Sequence, residues 1–275
     1  MSLPQAPRSG STILGLWITW IGSILVLAFL LLPILAIMPL SFSAGEFLTY
    51  PIPSFSLRWY EELLHSDRWI PALRNSLIVG TVSTILSTAL GVLAALGLKR
   101  ADFPLKAMVM GLLLSPMVVP SIIVAVGVYF FFAPLNLTNS FAGLILAHTA
   151  LSAPFVVVTV SATLAHFDMS MARASASLGA APLTTFFRVI LPLIAPGVAS
   201  GALFAFATSF DEVVVALMIA GPGQRTLPRE MFSGLRESIN PTITAVATVL
   251  ILTSVVLLSC LEILRRHNER LNGGK

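Results

Sequence analysis

The run ILGLWITWIGSILVLAFLLLPILAIMPL, Ile13–Leu40, decides the class of fold because it contains no acidic or basic side chain. A helix rises about 1.5 Å per residue and a bilayer core is about 30 Å thick, so about 20 such residues suffice to cross it. The run greatly exceeds the roughly 7 to 15 residues of a secretory signal core and therefore reads as an uncleaved anchor. Working outward, further stretches free of Asp, Glu, Lys and Arg extend from Asn75 to Leu98, Ala107 to Phe167, Val189 to Phe210 and Ser238 to Leu261. The stretch from Ala107 is too long for one span, and the turn-like Pro134-Leu135-Asn136-Leu137-Thr138-Asn139 divides it. An all-α integral membrane fold with six transmembrane helices is expected, at about 13–40, 75–98, 107–132, 141–164, 193–220 and 242–264, in a single domain over 1–275.

Composition supports that class. Only 10% of the 275 residues are charged and 56% are apolar, with a mean hydropathy of +0.93, whereas soluble domains carry about 25% charged residues. A soluble enzyme, a disordered chain and an ordinary nucleic-acid binder are disfavoured. The net charge of +4 therefore says little about a partner, since the charges sit between apolar runs and orient the chain in lipid. Cys260 is the sole cysteine, which excludes an internal disulfide, and no Cys/His cluster offers a metal site. It is expected as a small side chain buried in the last span.

An even number of spans puts both termini on one side, which the Lys/Arg distribution chooses. With the tail 1–12 inside, Arg8, Lys99, Arg100, Lys106, Arg173, Arg188, Arg265, Arg266, Arg270 and Lys275 are cytoplasmic. Arg58, Arg68, Arg74, Arg225, Arg229 and Arg236 are then outside. Between Pro51 and Arg74, Phe55, Trp59, Tyr60 and Trp69 alternate with charged residues, which suggests short interfacial helices at the headgroup level.

The segment 166–190 has more order than a connector needs. Asp168 or Ser170 can cap a helix, small residues suit its body, Gly179 can take the left-handed position after it, and Pro182 can open a second helix. Ala172, Ala174, Ser175 and Ala176 would let another protein surface approach closely, and Arg173 and Arg188 could supply charge contacts.

This loop resembles the cytoplasmic coupling loop of binding-protein-dependent ABC importer permeases. Their motif is Glu-Ala-Ala, three residues, Gly, nine residues, a branched apolar residue, any residue, then Leu-Pro. Ala174, Gly179, Val189, Leu191 and Pro192 match it in register, while Arg173 replaces the usual Glu and Ser175 the usual Ala. Downstream, Ser209-Phe-Asp-Glu-Val-Val-Val, Gly221-Pro222, Leu227-Pro228 and Asn240-Pro241 resemble the second permease subunit of spermidine/putrescine-type importers.

The resemblance implies a type I ABC importer permease fold in a bacterial inner membrane, with a coupling helix between spans four and five. Arg173, Ala174, Ser175, Leu178, Gly179, Ala180, Arg188, Leu191 and Pro192 would form the contact with the ATPase. It also implies two copies of an ATP-binding subunit, a second homologous permease subunit and an extracytoplasmic solute-binding protein. The cargo would be a small polar, cationic solute such as putrescine or spermidine. Relatives of that subunit also serve opines, 4-aminobutyrate, aminoethylphosphonate and ferric iron.

The residues themselves suggest a pathway. Asp211 and Glu212 lie in an otherwise apolar run, and a charged acid at the bilayer centre costs about 2.5 to 3.5 kcal/mol even on an insertion scale. With a fifth span running from near Pro196 to near Gly221, Asp211 lies about 22 Å along, in the outer half. Asp211, with Glu212, is expected to face the pathway and attract a cation, or to close an outer gate through an arginine such as Arg225. The alternative is that the pair ends the helix or forms a static salt bridge.

Other features carry less specific signals. Gly197 and Gly201, followed by Ala205, leave one helix face bare for close packing. Pro116 and Pro120 free backbone carbonyls in span three, which Ser115 and Ser121 can help to satisfy, so a kink is expected there, either structural alone or lining a cavity that puts Ser115 on the substrate pathway. Pro154 falls near the middle of span four, and His148 is expected to hydrogen-bond between helices. Tyr129, Phe130, Phe131 and Phe132 suit interface anchoring, and Tyr129 or Phe130 can also pack around an amine.

The chain lacks a G-x-x-x-x-G-K-[ST] loop, so no cofactor is expected on it, and ATP with Mg belongs on the partner ATPase. Partners are thus protein subunits and membrane lipid, with no nucleic acid. An ion-coupled secondary transporter or channel remains the alternative class, disfavoured by the lack of an inverted repeat.

Overall fold

The computed structural model describes residues 10–100, 104–165, 167–237 and 241–272. Its helices are α1 (Gly10–Leu40), α2 (Arg58–His65), α3 (Trp69–Arg100), α4 (Lys106–Val118), α5 (Ser121–Phe132) and α6 (Phe141–Ala165). They continue as α7 (Met169–Ser177), α8 (Pro182–Thr185), α9 (Leu191–Asp211), α10 (Val214–Ile219), α11 (Leu227–Glu237) and α12 (Thr242–Asn272). Cys260 falls within α12, but its side chain lies outside the described residues. The chain gathers into two compact units: α1, most of α2 and the first turns of α12 in one, α3 to α11 with the remainder of α12 in the other.

Among the described residues, four helical stretches are long and apolar enough to cross a membrane: Gly15–Leu40, Trp69–Lys99, Phe141–Ala165 and Pro182–Asp211. The pair α4 and α5 makes a fifth only if it counts as one span, because it bends by 107° between its halves. The apolar described stretch of α12, Thr242–Val256, is shorter than a crossing.

In the first unit the side chains of α1 stand exposed over its apolar window, with Trp17 at 63% and Phe29 at 78%. Such a surface belongs in lipid or against another apolar chain. The segment after α1 is folded more tightly than interfacial helices would be. Ser43 and Phe55 form an antiparallel bridge. Trp59 is buried and donates its Nε1–H to the Ser43 carbonyl at 2.6 Å. Tyr60 and Ser41 share a hydroxyl hydrogen bond at 2.7 Å. Trp59 is thus an internal pin rather than a headgroup anchor, and Trp69, also buried, opens α3 instead of a short helix.

In the second unit α3, α6 and α9 pack pairwise against one another. Close approach rests on missing side chains. A Cβ on Gly91 of α3 would fall 2.6 Å from Val156 Cβ, and one on Gly201 of α9 would fall 2.5 Å from Thr159 Oγ1 and 3.0 Å from Val156 Cα, both on α6. A Cβ on Gly197 would collide with Thr163 Oγ1. The bare face of α9 is therefore filled by α6 of the same chain. The threonine hydroxyls at that seam bond to their own helix, Thr159 to Phe155 O at 2.9 Å and Thr163 to Thr159 O at 3.0 Å, so they add no unsatisfied group.

Two apolar clusters mark the two ends of this bundle. One gathers Val79, Ala125, Phe132, Leu144, Val215 and Ile219 where α5 and α10 meet α3 and α6. The other gathers Val92, Val160, Leu164, Ala172, Ile190 and Ile194 around the loop after α6. Of the long helices, α3 and α6 contribute to both clusters and α9 to the second.

Candidate functional site: the loop after α6 and the break after Asp211

The loop is built as its residues suggest, with one addition. Asp168 caps α7, its Oδ1 accepting from the Ser170 N–H at 2.8 Å and its Oδ2 from the Ser170 hydroxyl at 2.5 Å. These bonds, hydroxyl first, hold the Asp168 carboxyl below its ordinary range. At the other end Gly179 has φ +81°, the left-handed conformation that glycine adopts without strain. The Gly179 N–H donates to Ala176 O at 2.9 Å and the Ala180 N–H to Ser175 O at 3.2 Å, a Schellman closure. Pro182 then opens α8 at its first turn. The addition is a π-helical turn, Phe186–Ile190, joining α8 to α9.

That turn corrects the expected fifth span. Helix runs without interruption from Pro182 to Asp211, rather than beginning near Pro196 and reaching Gly221. Pro192 lacks an N–H and its ring crowds the carbonyl four residues back. The wider π turn immediately before it accommodates both, so the proline does not stop the helix.

The loop has two faces. Ala172 is buried in the bundle, not exposed as its small size suggested, and Thr185 is buried beneath Ser175, whose hydroxyl lies 3.0 Å from Thr185 Oγ1. Ser175, a departure from the motif, thereby ties α7 to α8. The outer face carries Arg173, Ala174 and Arg188, all exposed, with Leu178 at 89%, Leu183 at 72% and Phe187 at 60% exposure. Ala180, Leu191 and Val189 are half-buried and Pro192 is exposed. Leu183 and Phe187 escaped the sequence reading, because nothing in the chain order shows which apolar loop residues are left uncovered.

At the other end of α9 the acid pair is divided. Asp211 is its last residue, exposed, and makes no ion pair or hydrogen bond among the described residues. Glu212 has left the helix, and its Oε1 accepts from the Val215 N–H at 2.9 Å, so it caps α10. The break needs such help because the first N–H groups of α10 lack intrahelical acceptors and the last carbonyls of α9 lack intrahelical donors. His148 on α6, wholly buried, places Nδ1 3.0 Å from Ser209 O and 2.9 Å from Ser209 Oγ. With the Nδ1–H tautomer assigned from these neighbours, His148 donates to that carbonyl and fastens the break to α6. His148 is thus an inter-helix bond, as expected.

Arg225 does not meet Asp211. Its NH1 lies 3.4 Å from Oε2 of Glu230, and Arg68 pairs with the other oxygen of the same carboxylate. Glu230, only 1% exposed, is the buried hub of this group. Arg229 donates to Gly221 O at 2.9 Å, and burial, with Arg225 beside it, pulls its guanidinium below the ordinary range. Asn75 donates to Gly223 O and Arg225 O, both at 3.0 Å, fixing the loop between α10 and α11 onto α3.

The remaining residues fall apart from this centre. Ser115 donates to Leu112 O at 2.8 Å within α4, just before the sharp bend at Pro120. The expected kink in span three is therefore a full break. Tyr129 and Phe130 of α5 meet edge to face, their ring centroids 5.8 Å apart, and Phe130 is 70% exposed.

These features define a helical membrane protein with a capped, glycine-closed loop at one end of its bundle. Residues 87–272 match the family described as binding-protein-dependent transport system inner membrane component, and this chain belongs to it. Among its relatives are the spermidine/putrescine transport system permease protein PotC of Shigella flexneri, 33% identical over 249 residues, which cover 90% of this chain and 94% of that protein. The putrescine transport system permease protein PotI of Escherichia coli strain K12 is 33% identical over 241 residues, covering 84% and 85%. The fold is similar to that of a chain in a bacterial ABC transporter involved in the import of the acidic polysaccharide alginate. There the TM-score is 0.77 at 14% identity, covering 94% of this chain and 99% of that one.

The protein is accordingly a multi-pass inner-membrane permease of the ABC importer fold. It is not itself an enzyme and holds no cofactor; the ATPase is a separate subunit, and a binding protein is the other partner that the family implies.

Proposed function

We propose that this chain is one of two homologous permease subunits of an ATP-driven importer for a small cationic solute of the polyamine class. In this reading six spans are formed by α1, α3, the pair α4 and α5, α6, α9 and α12, with both termini in the cytoplasm. The loop from Asp168 to Pro192 seats in one of two ATPase copies. Its movement is transmitted by α9, which continues from the loop to Asp211, and ATP energy reaches the pathway as a change in the relative stability of two arrangements. Asp211 attracts the cation, supported by its exposure and by its making no ion pair or hydrogen bond among the described residues. The polyamine assignment is supported by the names of relatives at 33% identity.

The observation that carries this reading is the two-faced loop. One side is anchored through Ala172 and Thr185, and the other leaves Leu178, Leu183 and Phe187 uncovered for a docking groove. Co-purification with the ATPase tests it. Gly179→Asp should abolish capture of the ATPase while the permease still inserts. Uptake of solute by this chain alone in liposomes under an ion gradient would overturn the proposal in favour of a secondary carrier.

A further inference from the structure

We propose that the end of α3 remote from the coupling loop binds an anionic phospholipid, its phosphate held by Arg74 and Arg225 and its acyl chain lying along Ile78 and Phe141. Two cavities that share Pro71, Asn75 and Gly223 create the site. One, of about 420 Å³, is walled by Ile70, Ile78 and Phe141 and has Arg74 as its one charged residue. Its neighbour, of about 370 Å³, carries the charged Asp67, Arg68, Arg225 and Glu230. Each volume falls in the range of small-ligand sites, roughly 300 to 1,000 Å³.

The order of residues along α3 matches a lipid. Ile70, Arg74 and Ile78 are spaced four apart and so share one helix face. Ile78 therefore lies about 6 Å deeper than Arg74 along an apolar helix. Arg74 is exposed and has no ion pair or hydrogen bond among the described residues, unlike Arg68 and Arg225, which share Glu230. Arg225 keeps donors to spare, with a side chain 45% exposed and 3.4 Å from its carboxylate. Counting Arg68, Arg74 and Arg225 against Asp67 and Glu230 leaves one positive charge in excess. A planar guanidinium meets a phosphate with two parallel hydrogen bonds. A soluble phosphate ester would satisfy the cations but leave Ile70, at 40% exposure, and Ile78, at 38%, uncovered. An acyl chain covers them.

Native mass spectrometry of the full chain, purified with its partner subunits and incubated in mixed micelles with equal phosphatidylglycerol and phosphatidylcholine, tests the assignment. Phosphatidylglycerol should be retained about tenfold over phosphatidylcholine, which offers the same phosphate but brings a trimethylammonium cation that the site's excess positive charge repels. Arg74→Gln should erase that preference and Arg74→Lys should keep part of it, with thermal melting unchanged in both. Equal retention of the two lipids by the native chain, or an undiminished preference in Arg74→Gln, would overturn the proposal. So would displacement of the lipid by glycerol phosphate at equal concentration, which would make the ligand a soluble ester. Loss of solute-binding-protein capture in Arg74→Gln with lipid retention intact would instead make this a protein contact and equally defeat the lipid site.

Discussion

Asp168 and Gly179 hold α7 from its two ends, and each can be tested at the scale of one side chain. A Cβ at Gly179 meets nothing within 4 Å, so the cost of Gly179→Ala comes from its φ of +81° alone. That cost is about 1 kcal/mol. Faster hydrogen exchange at the amides of Gly179 and Ala180, with the bundle unchanged, is the expected result. Asp168 gives a pH dependence. Its carboxyl is held low in the folded loop, so its contribution is complete above the ordinary carboxylate range, near pH 4, and disappears as pH falls through the lower folded value. Protection of the α7 amides should be flat from neutrality down to about pH 5 and then fall. Asp168→Asn, which can still cap, should remove the pH dependence and retain most of the protection.

At the scale of elements, the seam between α6 and α9 is closely packed. The seam has no room. Gly201→Leu must push a branched side chain against Thr159 and Val156, and overpacking of this kind costs about 1 to 3 kcal/mol. A fall in melting temperature with loss of ATPase-coupled uptake is expected, whereas Gly223→Ala, in open space, should be neutral by the same two measurements. The Gly-x-x-x-Gly face could be seen in the sequence, but its occupant could not, since any helix with a matching groove leaves the same trace. Conversely, the fifth helix could not be bounded from prolines alone. Whether Pro192 stops a helix depends on the backbone ahead of it, and here a π turn absorbs the ring.

For the whole molecule, the charges at the two ends of the α3–α6–α9 bundle define what transport experiments should detect. Asp211 makes no ion pair among the described residues, so Asp211→Asn should weaken uptake of a cationic solute by about fivefold in half-saturation, the equivalent of about 1 kcal/mol for an exposed charge. Maximal rate and assembly should be unchanged, and the difference should shrink at high salt. Equal uptake by both forms across substrate concentration would remove Asp211 from the pathway. Glu230 shows how a residue of consequence can escape a linear reading. In the sequence it is an acidic neighbour of Arg229, while in the fold it is buried between Arg68 and Arg225, the first of them 162 positions earlier.

The apolar runs by themselves determined that this is a helical membrane protein, because a bilayer leaves the backbone of a crossing segment little choice but to bond within itself. Local chemistry likewise determined the loop's cap, its left-handed glycine and its second helix, all set by neighbours within a few residues. Tertiary structure alone decided that Glu212 caps α10 while Asp211 makes no bond among the described residues, that Ala172 faces inward while Phe187 does not, and that Arg225 turns to Glu230. Each of those outcomes depends on which helix packs against which. Packing between segments far apart in the chain is chosen by shape and charge in three dimensions, and periodicity along one dimension does not contain it.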